Sequence, residues 1–156
     1  MVLNVSNDNL EAIKVFIGIS FVSKSKAKYA LTFQNGNNGM AISFPVQEIR
    51  VMRNTKSRYD HVVIRLVRDI CNLVSANKRE EVPVKLDIYT GSHLLSFIWE
   101  KEVKGEKECP EGISEAQIWA EIISTVNKNA IDLFLHGEGD MMDSINHAEQ
   151  VRAKHV

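Results

Sequence analysis

Acidic side chains occur where they could hold a cation or move a proton. Asp60 sits at the start of a helical stretch, Asp87 inside an apolar strand-like run, and Glu149 near the C-terminal end. Glu138, Asp140 and Asp143 cluster in and around the GEGDMMD segment. Carboxylates gathered in one place serve acid–base chemistry or bind divalent metal. Yet two strand-like runs, Lys14–Ser20 (KVFIGIS) and Val84–Ser92 (VKLDIYTGS), end in Gly18 and Gly91. Strand ends of this kind are where an α/β fold mounts its chemistry. A glycine there supplies neither a proton acceptor nor a metal ligand. Asp87 lies four residues before Gly91, on the same strand face and about 13 Å back. It is expected to pair with a cation such as Lys85. Asp140 and Asp143 read as a solvated loop with a helix-capping acid.

The remaining candidates are basic, thiol and imidazole groups. The run IRVMRNTKSRYDH (49–61) holds Arg50, Arg53, Lys56 and Arg58 with Asn54, Thr55 and Ser57, a set suited to phosphate contacts. Lys24, Lys26 and Lys28 form a second basic group. The plainer reading of both is a solvated charged surface. Cys71 falls beside Ile70 in a helical pattern and reads as a small buried hydrophobe, while Cys109 precedes Pro110 in a polar connection. Two cysteines are no disulfide framework, and the five histidines (61, 93, 136, 147, 155) lack zinc-site spacing. His61, His93 and His147 show no orienting partner. Trp99 and Trp119 sit at helical spacing among apolar neighbours and are expected in the core.

These residues need a scaffold. Val15–Val22 reads as a central strand, Tyr29–Gln34 as a second, NGNNG (35–39) as a hairpin turn and Met40–Val46 as a third strand. Pro45 puts that third strand at an edge or ends it. From Tyr59 to Ala76 the apolar residues fall at helical spacing, with Ser57 as N-cap. A fourth strand (Val84–Thr90), a short helix (Ser92 to Trp99), a long helix (Ser114–Asn127), a fifth strand (Ile131–His136) and a terminal helix (Ser144–Lys154) complete the chain. The order βββαβααβα implies one mixed five-stranded sheet, three strands antiparallel and then two parallel, with helices on both faces.

The chain's 156 residues suit one domain, 1–156, and 44% apolar with 25% charged residues is ordinary for a globular protein. A net charge of −1 excludes a strongly basic protein. No apolar run approaches the roughly 20 residues of a membrane span. The first residues lack a signal peptide's pattern, so a cytoplasmic protein without membrane contact is expected.

The element order resembles that of the type 1 ribonuclease H family, and local strings are similar. Thr90-Gly91-Ser92-His93 resembles the family's Thr-Asp-Ser segment, and Arg58-Tyr59-Asp60 its Arg-Met-Glu string. Glu115–Trp119 resembles the acidic-to-Leu-Trp stretch, and His136-Gly137-Glu138-Gly139 the Lys-Gly-His-Ala loop. Ala148-Glu149-Gln150-Val151 resembles the Ala-Asp-Glu-Leu string of the last helix. The resemblance implies cleavage of the RNA strand of an RNA–DNA hybrid by two divalent metals held by four carboxylates. Gly18 and Gly91 stand at two of those four positions. Asp60 keeps the third acid one methylene shorter, and Glu149 keeps the fourth one methylene longer.

A catalytically inactive member is therefore expected, with no metal cofactor, binding nucleic acid or a protein partner. Arg50, Arg53, Asn54, Lys56, Arg58, Ser92 and His93 are the nucleic-acid contact candidates. The alternative is a divergent nuclease acting on RNA or a hybrid, with Asp60, Asp87, Glu138 and Glu149 regrouped around Mg²⁺ or Mn²⁺.

Overall fold

The structure is a computed structural model that describes residues 11–35, 41–51, 58–79 and 82–137. Strand β1 (Glu11–Phe21) pairs antiparallel with β2 (Lys26–Asn35), and two short strands, β3 (Ala41–Ser43) and β4 (Gln47–Arg50), both pair with β2. Helix α1 (Arg58–Asn77) leads to β5 (Val84–Tyr89), which lies parallel to β1. A short helix α2 (His93–Ile98) continues as a π-helical turn (Trp99–Val103). Helix α3 (Ala116–Lys128) then returns the chain to β6 (Ile131–His136), parallel to β5. The sheet order is β3-β2-β1-β5-β6, with β4 also on β2. The three-antiparallel-plus-two-parallel plan holds.

Two boundaries differ from the sequence reading. The expected third strand, Met40–Val46, is two segments separated at Phe44–Val46. Pro45 falls in that gap, where a residue without an N–H cannot continue a ladder. Gly18 is interior to its strand, paired with Ala30, because the hairpin with β2 runs on to Phe21 and Ala27. The pairing with β5 stops earlier, at Phe16 and Tyr89. Carrying that register two residues further puts Gly18 beside Gly91, so both glycines lie just past the end of β5. The proposed caps and turns at Ser57 and 36–39, and the terminal helix Ser144–Lys154, lie outside the described residues.

Alternation on the strands and a stripe on each long helix build one core. Ile13, Val15 and Ile17 of β1, Leu86 and Ile88 of β5, and Leu133 and Leu135 of β6 join α1 and α3 there. The stripe predicted on α1 is buried, and Cys71 is sealed inside it. Burial pushes the Cys71 thiol up to about 12. Trp99 and Trp119 are both buried and stack with centroids 6.1 Å apart. Along β6, Trp99 Nε1 donates to the Leu133 carbonyl at 2.8 Å and Ser96 Oγ to the Leu135 carbonyl at 2.7 Å.

Candidate functional site

The end of β5 is the place to look, because the strand stops there against the start of α1 and the start of α2. Thr90 makes the turn. Its amide donates to the His136 carbonyl at 2.9 Å, its hydroxyl to the same carbonyl at 3.0 Å, and that hydroxyl accepts from the Ser92 amide at 3.0 Å. Gly91 follows with φ of 73°, a backbone conformation that costs any residue with a Cβ about 1–2 kcal/mol. The Tyr59 hydroxyl donates to the Thr90 carbonyl at 2.7 Å, and a Cβ built on Gly91 would fall on that hydroxyl. The space a side chain at 91 would need is taken by a tyrosine one residue before Asp60.

Asp60 is drawn into the same junction. Ser92 Oγ donates to Asp60 Oδ1 at 2.5 Å and accepts from the Leu95 amide at 3.1 Å, which caps α2. Residue 92 is 5% exposed. Its hydroxyl thus bolts α1 to α2, and of the candidates Ser92 and His93 only His93 is exposed.

A second polar group lies further back on β5. Asp87, 5% exposed, is hydrogen-bonded to His136, whose Nε2 is 2.7 Å from Asp87 Oδ1; Lys85 Nζ is 4.0 Å from Oδ2. The expected partner Lys85 is therefore present, and His136 is the closer one. Phe16, Tyr89 and His136 occupy matching positions on three adjacent strands and stack across them, at 4.9 Å and 4.5 Å between centroids. Its members lie 73 and 47 residues apart along the chain and meet only through parallel pairing, so no local pattern names them.

His61 also differs from expectation. Its Nδ1 is 2.9 Å from Glu115 Oε1, so the ring has an orienting carboxylate from the N-terminus of α3. Glu115 adopts a left-handed φ of 62° there.

Among the basic candidates, Arg50, at the end of β4, is exposed, as are Lys24 and Lys26. Arg58 Cζ sits over the Phe21 ring, 4.3 Å from its centroid, and the guanidinium donates to the Ser23 carbonyl, so it braces the β1–β2 turn. Arg53, Asn54 and Lys56 lie outside the described residues, as do Glu138, Asp140, Asp143 and Glu149.

The resemblance implies a pair of divalent metals, and the described residues do not fit them. Two cations a few ångströms apart repel strongly and need a dense cluster of anionic oxygens. Gly18 and Gly91 offer none, and one oxygen of Asp60 is occupied by Ser92. Among the described residues no three His, Cys, Asp or Glu side chains are grouped to hold a metal ion.

No protein-family model matches the chain, and no curated protein matches it. Solved structures do. LC9-RNase H1, a type 1 ribonuclease H with the type 2 active-site motif, shares 11% identity at a TM-score of 0.58, over 96% of this chain and 74% of that one. The N-terminal ribonuclease H domain of a Mycobacterium tuberculosis protein shares 10% at 0.55, over 90% and 95%. The foamy viral protease-reverse transcriptase in complex with RNA/DNA hybrid shares 10% at 0.57, over 99% of this chain and 22% of that one. The architecture is the ribonuclease H-like fold.

Proposed function

We propose that this ribonuclease H-like chain binds nucleic acid without cutting it. The observation that carries the reading is the Tyr59 hydroxyl in the space of a side chain at position 91, with Gly91 itself in a left-handed backbone conformation. An acid at that position would need both a new backbone and a displaced tyrosine. Asp60, the one acid described at a family position, serves Ser92 as an acceptor. Support for nucleic acid as the partner is coarser: a similar fold is seen with an RNA/DNA hybrid bound, and Lys24, Lys26 and Arg50 are exposed. Helix N-termini and cations of this kind hold phosphates without reading sequence.

The test is gel retardation with an RNA–DNA hybrid, duplex DNA and duplex RNA at low salt, run beside a cleavage assay in millimolar Mg²⁺ and Mn²⁺. Retardation that weakens in Arg53→Ala plus Lys56→Ala, with no cleavage, is expected. Hybrid cleavage in Mn²⁺ that disappears in Asp60→Asn would sink the inactive reading. Absence of binding to every duplex would move the weight to a protein partner, for which Leu94 and Phe97, one helical turn apart on α2 and 54% and 56% exposed, offer an apolar contact.

A further inference from the structure

Four large apolar side chains left exposed among the described residues fall into two pairs. Phe21 and Val22, where β1 ends, are 37% and 56% exposed, and Leu94 and Phe97 on α2 are 54% and 56% exposed. Strands β1 and β5 run parallel, so the end of β1 and the helix that follows β5 lie at the same end of the sheet. The first turn of α1 touches both places: Arg58 sits over the Phe21 ring, and Asp60 bonds Ser92, the N-cap of α2. Neither pair is covered, although apolar surface gains about 25 cal/mol per Å² on leaving water.

The charges around the two pairs are opposite. Beside Phe21 and Val22, Lys24 and Lys26 are exposed and enter no ion pair among the described residues. Lys26 stands opposite Arg50 in the β2–β4 register, which sets like charges side by side at a cost. Next to Phe97 the chain is acidic instead. Glu100 lies one helical turn on, and Glu102, Glu106, Glu108 and Glu111 follow, all exposed, against Lys101 and Lys107. Lys104 is held by Asp132 at 3.5 Å and Glu100 at 3.9 Å, and the other four acids enter no ion pair among the described residues.

We propose that the two pairs are the halves of one contact, and that the chain forms a two-fold symmetric dimer in which α2 of each copy packs on the β1–β2 turn of the other. A two-fold axis makes each contact occur twice. Because both pairs lie at one end of the sheet, two copies meeting end to end make both contacts at once. Apolar side chains meet apolar ones, and the acids after Phe97 meet Lys24 and Lys26. That the complement of α2 is present in the same chain is what favours a second copy over an unrelated protein. The contact is of the small, weak class, so a dissociation constant of about 10–100 μM is expected. The same lysines are candidates for a duplex, so the dimer is tested without nucleic acid and stands or falls apart from the inactive reading.

The experiment is sedimentation velocity on the full chain from about 5 to 500 μM at low salt, spanning that constant. A monomer passing to a dimer is expected, weakened tenfold or more by Leu94→Ser plus Phe97→Ser and weakened also by raised salt. Two charge reversals, Lys24→Glu plus Lys26→Glu and Glu100→Lys plus Glu102→Lys, should each leave the chain monomeric. Mixed in equal amounts, the two variants should associate one to one, because each contact then joins an acidic side to a basic one. Loss of dimer through misfolding would not be repaired by mixing. A monomer at every concentration, growth past the dimer, a dimer indifferent to these substitutions, or a mixture that stays monomeric overturns the proposal.

Discussion

The Tyr59 hydroxyl lies against Gly91, donating to the carbonyl of the residue before it. Position 91 is thus shaped from two sides, by its own φ of 73° and by a side chain from the start of α1. The glycine is a requirement of this junction, and restoring an acid there is a structural change as well as a chemical one.

Gly91→Asp is expected to lower stability by about 2 kcal/mol and to confer no hybrid cleavage. Gly91→Ala should cost about as much, because the penalty comes from the backbone and the Cβ. Urea denaturation gives both values. Combining Gly91→Asp with Tyr59→Phe should recover part of the loss, since the displaced hydroxyl is then gone.

Ser92→Ala removes a helix cap and the Asp60 partner together, and should cost about 1–2 kcal/mol. Asp60→Ala should also destabilise. The double variant should be less unstable than the sum, with a coupling of about 1 kcal/mol in a double-mutant cycle. Additive losses would mean that the two side chains act separately.

Binding to a duplex, if dominated by phosphate contacts, should weaken steeply with salt. Arg53→Ala plus Lys56→Ala should lower the slope of log affinity against log salt by about 2, one for each lost contact. Fluorescence anisotropy at several salt concentrations reads this directly.

Of the two free thiols, Cys109 should react with a disulfide reagent in the native protein, and Cys71 only after unfolding. The Cys71 thiol stays protonated in the fold well above its ordinary value of 9.0, up to about 12. Stability from this group is therefore complete below pH 9 and declines as pH rises toward 12, by at most about 1.4 kcal/mol per unit. Thermal melts between pH 8 and 11 measure the decline.

Much of the architecture was legible from local pattern. Ile131–His136 alternates between a helix and a glycine, and the strand has those bounds. The stripe from Val62 to Val74 identified α1 because its period follows from burial of one face. What stayed hidden depends on pairing between distant residues. Asp60 and Ser92 are 32 residues apart, and nothing near either names the other. His61 and Glu115 are 54 apart. Gly18 looked terminal because the length of its hairpin with β2 is set by the partner strand. Two local signals were available: a glycine between Thr90 and Ser92 fits a left-handed turn, and Tyr59 beside Asp60 faces the same junction.

A sheet with open outer strands offers a template on which a second copy can add its own backbone. On the β6 side, the outward carbonyls of Leu133 and Leu135 are already engaged by Trp99 and Ser96. On the opposite side, the gap at Pro45 divides the outermost pairing into pieces of three and four residues. Neither rim presents a long run of free hydrogen-bonding groups among the described residues. On the β6 rim the two side chains that take up those carbonyls, Ser96 of α2 and Trp99 of the turn after it, also tie that helical segment to the sheet, so a strand added there would have to displace them.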